Sequence, residues 1–325
     1  MTIDIPIRSK PIIHIGRVPI TGDLILAPMA GYSDQPFRLI CRELGSAASI
    51  IPCILDDGLL YDSRRTDELL RSLPEERPIA IQILSKDEGR LARAAPRLIA
   101  LHPDWVDLNL GCPAKHIAGR GRGAALLRVP PILESLVRRL VSDLPCPVTA
   151  KIRLGWDDDS RNYREVALRL QDAGVAALAV HGRTAKQGYS GTADWDAIAE
   201  VRELLQVPVL ANGDVRTAAD IGAIKQATGC DVILIGRGAV GNPWLFSRLD
   251  NAEVGWETRV QMIERHIFLM CEHYGAVNGV RLFRKHLIRY VQGFHGASAL
   301  RPQLVAAETA EQVLSVLRGW EMRQS

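Results

Sequence analysis

Pro208-Val-Leu-Ala-Asn-Gly-Asp214, the segment Ala218–Thr228 and Asp231-Val-Ile-Leu-Ile-Gly-Arg237 form the most legible unit of the chain. The first and last runs are apolar without alternation, as strands buried on both faces require. The segment between them has helical period, so the unit reads strand, helix, parallel strand. Outward from it the same unit recurs. Eight β-like runs are predicted at 24–30, 47–54, 78–84, 105–111, 147–155, 177–183, 208–214 and 231–237. Helical segments are predicted at 88–101, 131–142, 163–173, 194–205 and 218–228, with a short one at 66–73. Strand then helix, repeated eight times, predicts an α/β fold, the (β/α)8 TIM barrel. Gly236-x-Gly238-x-x-Gly241 matches a dinucleotide fingerprint by letters. It follows the last strand and has no βα partner after it, so that reading is rejected.

Before the barrel, Ile12–Ile15 and Val18–Ile20 around Gly16-Arg17 read as a hairpin capping its bottom. After the eighth run the strand signal stops, and 257–274, 279–294 and 304–320 read as helices. The expected domains are therefore a barrel with its hairpin over residues 1–250 and a small helical domain over 251–325. At 47% hydrophobic but 5% aromatic, the core must be aliphatic. No run approaches the roughly 18 apolar residues of a membrane span, and Met1-Thr-Ile-Asp-Ile-Pro6 lacks a signal-peptide layout. The six cysteines form no CxxC pair and no Cys/His cluster at metal spacing. They read as reduced thiols of a cytoplasmic protein, with no metal expected. A monomer is the expected state.

The net charge of +3 is unevenly placed. Between Glu272 and Glu308 there is no acid, while Arg281, Arg284, Lys285, Arg289 and Arg301 are all basic. A second acid-free window, 108–133, holds Lys115, Arg120, Arg122 and Arg128. Such clustering points to a polyanionic partner. On a helix, Arg281, Lys285 and Arg289 share one face at i, i+4, i+8.

Catalytic groups of a barrel gather at the C-terminal ends of its strands. Strand one ends in Ala27-Pro28-Met29-Ala30-Gly31, a small-residue turn over which a flat ring could lie. The later ends carry Gln82, Asn109 with Cys112, Lys151 with Arg153, His181 with Arg183, Asn212-Gly213-Asp214, and Gly236-Arg237. The last two ends suit a phosphate, through close backbone approach and one guanidinium. Lys151, on an otherwise apolar strand, needs an anionic or electron-rich partner. Gly111 and Pro113 flank Cys112, giving the backbone freedom on one side and restricting it on the other.

With these residues in hand, the chain resembles the bacterial tRNA-dihydrouridine synthases, most of all their B-type subfamily. The motifs that carry the resemblance are Ala27-Pro28-Met29-Ala30-Gly31-Tyr32-Ser33-Asp34, Leu108-Asn109-Leu110-Gly111-Cys112-Pro113-Ala114-Lys115, Lys151-Ile152-Arg153, Val180-His181-Gly182-Arg183, Ala211-Asn212-Gly213-Asp214, Ile235-Gly236-Arg237-Gly238 and, in the tail, Arg284-Lys285-His286. The resemblance spans roughly residues 12 to 320. It implies FMN in the barrel mouth, NADPH as reductant and a uridine of the tRNA D-loop as substrate. By that similarity Pro28, Met29 and Ala30 line the flavin, Gln82 and Lys151 contact its ring system, and His181 flanks it. Asn212, Gly213, Asp214, Gly236 and Arg237 would hold its phosphate, and Asn109 would hydrogen-bond the uracil. Lys115, Arg153, Arg183, Arg281, Arg284, Lys285 and Arg289 are expected against RNA. Cys112 would then be the general acid that gives a proton to C5. The chain departs from the family pattern at strand two, where Ile51-Pro52-Cys53-Ile54-Leu55-Asp56-Asp57-Gly58 replaces the usual Ser/Thr-Glu-Met run. Either the carboxylate has moved to Asp56 or Asp57, or it is absent.

Overall fold

The computed structural model describes residues 10–61, 63–294 and 296–321. The N-terminal Met1–Pro6 segment and the outermost ends of the two expected domains lie outside the described residues. The first strands, β1 (Ile13–Ile15) and β2 (Val18–Ile20), pair antiparallel around Gly16, whose φ of +56° suits glycine. Eight parallel strands follow: β3 (Leu24–Leu26), β4 (Ser49–Leu55), β5 (Ile79–Leu84), β6 (Trp105–Leu110), β7 (Val148–Arg153), β8 (Ala177–His181), β9 (Val209–Asn212) and β10 (Val232–Ile235). Their hydrogen-bonded order is β3-β10-β9-β8-β7-β6-β5-β4. The Ala47 N–H donates to Leu24 O, drawing the first two barrel strands together. This is the predicted TIM barrel, with each strand at the place read from its apolar run. The hairpin plugs the bottom, Ile15, Val18 and Ile20 packing with Ile25, Ala48, Trp105 and Val232.

Helices α1 (Gln35–Glu43), α2 (Asp56–Leu60), α3 (Arg64–Leu70), α4 (Glu88–Ala100), α5 (Lys115–Ala118), α6 (Pro130–Asp143), α7 (Tyr163–Asp172), α8 (Trp195–Leu204) and α9 (Ala218–Thr228) accompany the strands. Side-chain oxygens of Asp34, Asp87, Asp194 and Thr217 cap the starts of α1, α4, α8 and α9. The second helix, expected at 66–73, is instead two short ones, α2 and α3. Asp56 and Asp57 start α2 directly at the end of β4, where carboxylates suit a helix N-terminus.

The tail contains α10 (Trp256–Tyr274), α11 (Ala276–Tyr290), α12 (Ala297–Ala306) and α13 (Ala310–Glu321). The single helix expected at 304–320 is thus corrected to two. Its break is a capping box: Gln312 N–H donates to Thr309 Oγ1, and Gln312 Oε1 accepts from the N–H of Thr309 and of Glu308. Ile263, Ile267, Met270, Phe283, Leu287, Leu300, Leu304, Val313 and Leu317 make a core for these helices, which Trp244 joins from the barrel side. At the seam, Phe37 stacks on His266 at 5.6 Å and lies 4.8 Å from His286. Burial keeps both imidazoles neutral, His266 being pushed down to about 3. Lys285 Nζ faces Asp34 Oδ2 there at 3.7 Å.

Candidate active site

The strand ends surround one cavity of about 570 Å³, within the range of small-ligand sites. Pro28, Met29, Ala30, Asn109, Cys112, Lys115, Lys151, Arg153, His181, Asn212, Gly213, Asp214, Gly236 and Arg237 all line it. Tyr32, Cys53, Tyr189 and Arg216, none of them singled out from the sequence, line it too.

Cys112 sits where β6 gives way to a loop, and both sides of its peptide are held. Asn109 Oδ1 accepts the N–H groups of Gly111 at 3.1 Å and Cys112 at 2.9 Å. Cys112 O accepts from Ala124 N–H at 3.0 Å. The other end of the Asn109 amide donates to Gln82 Oε1 at 2.8 Å and to Cys53 Sγ at 3.0 Å. Asn109, expected against uracil, therefore spends its whole hydrogen-bonding capacity on the protein.

Gln82, expected against the flavin ring, is fully buried beneath the cavity floor. Its Nε2 donates to Asp107 Oδ2 at 2.7 Å, and its Oε1 accepts from Asn109 and from Cys53. The residue holds the floor together and does not line the cavity. Asp107 also accepts from Thr149 Oγ1 at 2.6 Å, and burial pushes its carboxyl up.

The cavity is electropositive. Burial, then Arg153 nearby, pushes Lys151 down to about 8. Burial, with Lys151, Arg153, Arg183 and Arg237 around it, holds His181 neutral. Neutral imidazole beside cations suits hydrogen bonding to an anionic or electron-rich ligand. Arg153, although it touches the cavity, is 2% exposed and donates to the carbonyls of Gly111, Thr184 and Gly188. Its planar fork ties the loop after β6 to the loop after β8, which limits its freedom to follow RNA.

Arg183, also expected against RNA, is corrected outright. It is fully buried, donates to Ser190 O and Gly191 O, and pairs with Asp214 Oδ2 at 2.6 Å. Although burial alone would raise the Asp214 carboxyl, Ala193 N–H and Arg183 hold it below the ordinary range. Asp214 thereby ties the loop after β9 to the loop after β8. Gly213, at φ +133°, allows the close approach, since a Cβ there would lie 3.2 Å from His181 Cδ2. Across the cavity, Arg237 lies 3.9 Å over the ring of Tyr189, and Arg216 is exposed at the edge.

These features fit a flat, anion-bearing cofactor. Gly213, Gly236 and Gly238 keep the backbone bare, while Arg216 and Arg237 supply charge to the same end. Met29 and Ala30 offer an apolar floor, and a Cβ on Gly236 would sit 3.6 Å from Met29 Sδ.

Of the tail cations, Arg281 and Arg289 are both exposed on the surface of α11. Lys285 reaches back to the rim, 5.6 Å over the Tyr32 ring. Arg284 points elsewhere: it donates to Ala307 O at 3.0 Å, holding the turn between α12 and α13. Asp56 and Asp57 do not enter the cavity, since they pair with Arg90 and Arg122. The strand-two residue on the cavity wall is a thiol, Cys53, at φ +40° in an irregular stretch of β4. Burial, then the neighbouring Cys112, pushes it up to about 12, so it stays protonated.

The family model described as dihydrouridine synthase matches residues 25–323. The chain is 36% identical over 328 residues to the tRNA-dihydrouridine synthase B of Pseudomonas aeruginosa, covering 97% of each. It is 36% identical to the protein of that name from Pseudomonas syringae pv. tomato, covering 92% of this chain and 91% of the other. A probable tRNA-dihydrouridine synthase 1 from Synechocystis is 34% identical, over 94% of this chain and 88% of its own length. Among solved structures, a histamine dehydrogenase from Rhizobium is similar in fold, with a TM-score of 0.54 at 14% identity, covering 79% of this chain and 50% of that one.

Proposed function

The chain belongs to the dihydrouridine synthase family, and on that premise we propose that it reduces a uridine in the D-loop of tRNA to 5,6-dihydrouridine, with FMN in the barrel mouth, NADPH as reductant and Cys112 as proton donor. It is an oxidoreductase of the tRNA-dihydrouridine synthase kind. The observation that supports the finer reading is a single cavity that has a protonatable thiol on one wall and a glycine-lined, arginine-bearing anion seat on another.

When bound, FMN would supply the two-electron chemistry that no side chain here provides. Gly213, Asp214, Gly236 and Arg237 would seat its phosphate, with Arg216 adding charge. Met29 and Ala30 would underlie its rings, and Lys151 and His181 would flank them. Saturating the uracil 5,6-bond requires one hydride and one proton. Cys112, whose peptide is held on both sides by Asn109 and Ala124, would give its proton to C5. The target base must leave its stack to enter, at a cost of a few kcal/mol. Lys115 at the rim, with Arg281 and Arg289 on α11, would offset that cost by holding RNA phosphates. We place the protein in the cytoplasm, where its RNA is; no helix among the described residues is long and apolar enough to cross a membrane.

The test is to purify the protein, record its flavin absorbance, and assay NADPH-dependent dihydrouridine formation in an unmodified tRNA transcript. Yellow protein that reduces D-loop uridine supports the reading. Colourless protein, or flavoprotein that reduces only free small molecules, overturns it.

A further inference from the structure

Asp56 and Asp57 meet Arg90 and Arg122 in a closed, charge-balanced quartet beside the candidate site. Asp56 Oδ1 accepts from Arg122 Nη2 at 2.8 Å and from Asp57 N–H at 2.8 Å. Its Oδ2 accepts from Ser85 Oγ at 2.6 Å and Arg90 Nε at 3.1 Å. Asp57 Oδ2 accepts from Arg122 Nη2 at 3.0 Å, and Asp57 Oδ1 pairs with Arg90 Nη2. The Asp56 side chain is fully buried and that of Arg122 is 8% exposed. Charges so desolvated lock their geometry, because a buried ion without its partner is strongly unfavourable.

What the quartet joins gives it meaning. Asp56 and Asp57 open α2 at the end of β4, Ser85 follows β5, and Arg90 lies on α4. Arg122 belongs to the loop after β6 that contains Cys112. Its neighbour Gly123, at φ +61°, packs so closely that a Cβ would lie 2.7 Å from Cys112 O and 3.1 Å from Cys112 Cβ. The next residue, Ala124, donates its N–H to Cys112 O. Arg122 is thus two residues from the group that fixes one side of the thiol's peptide.

We propose that Arg122, gripped by Asp56 and Asp57, is a positioning residue that sets the place of the Cys112 thiol in the cavity. The inference rests on the reading of Cys112 as proton donor only for its effect on turnover. The geometric effect stands without it. One of the four cations in the acid-free window 108–133 is thereby withdrawn from RNA and committed to the loop.

The experiment uses the holoenzyme as wild type, R122M, R122K and C112A. Iodoacetamide labelling of Cys112, read by peptide mass spectrometry to separate it from Cys53, reports the thiol's setting. Steady-state kinetics with tRNA reports function. For R122M the labelling rate changes several-fold and kcat falls roughly 10²-fold, the scale of an ångström-sized misplacement, while KM moves much less. R122K restores part of both, since it keeps the charge but not the reach and fixed planar geometry of the guanidinium. Should R122M not fold, R122M/D57N keeps the charge balanced around Asp56 and Arg90 and is measured instead. Wild-type labelling and wild-type kcat in a folded variant overturn the proposal. Full activity in C112A would instead defeat the proton-donor reading and leave the labelling result to decide the clamp.

Discussion

Asn109 Oδ1 accepts the Cys112 N–H at 2.9 Å while its Nδ2 donates to Gln82 Oε1 at 2.8 Å. One amide side chain thus connects the proposed proton donor to the barrel floor. Asn109→Asp replaces the Nδ2 donor with an acceptor facing Gln82 Oε1. It should cost about 1–3 kcal/mol of stability and reduce kcat more than it raises KM. Thermal unfolding and steady-state kinetics check this; a loss confined to KM would return Asn109 to a substrate contact.

Arg183, expected at the RNA surface, is instead buried against Asp214. Arg183→Met should lower stability by about 3 kcal/mol, as breaking a buried pair does, and weaken flavin retention through the loops it ties. Denaturant unfolding and flavin content measure the two effects. Unchanged stability with weakened tRNA binding would show a surface role.

Lys151, held at about 8, loses its charge across mildly alkaline pH. If it faces an anionic cofactor, FMN affinity is level below about pH 8 and weakens above it. Lys151→Met should flatten that profile. The stability slope has the opposite sign. Between about 8 and the ordinary lysine value of about 10.4 the unfolded chain binds more protons here, so this group makes stability rise with pH. Flavin titrations and unfolding, both run from neutral to alkaline pH, separate the two.

Arg281 and Arg289 are exposed on α11, whereas Arg284 and Lys285 are partly buried against Ala307 and Asp34. Arg281→Ala/Arg289→Ala should weaken tRNA binding uniformly across sequences and flatten its salt dependence by about 0.7–0.9 for each phosphate no longer neutralised. Affinity measured from low to moderate salt gives the slope. A wild-type slope would remove α11 from the RNA surface.

The barrel was legible because parallel strands buried on both faces leave unbroken apolar runs, and 232–235 can hardly be anything else. The split of the last tail helix was legible as well, in Thr309-x-x-Gln312, but an apolar period running through 304–320 hid it. Strand ends told which residues stand near the mouth and not which way they turn. Gln82 turns down to Asp107, and Arg183 turns into its own loop. Cys53 reaches the wall through a left-handed φ that no pattern announces. The Arg122–Asp56 pair spans 66 residues, beyond any local spacing rule.

The central claim is that the Cys112 proton completes uracil reduction beside the bound cofactor. The most direct measurement is tRNA-dependent reoxidation of the pre-reduced flavoprotein, followed by flavin absorbance in wild type and Cys112→Ala. The account predicts equal flavin content and equal tRNA affinity, with reoxidation slowed about 10²–10⁴-fold in the variant. Reoxidation at the wild-type rate, with normal dihydrouridine yield, would contradict it.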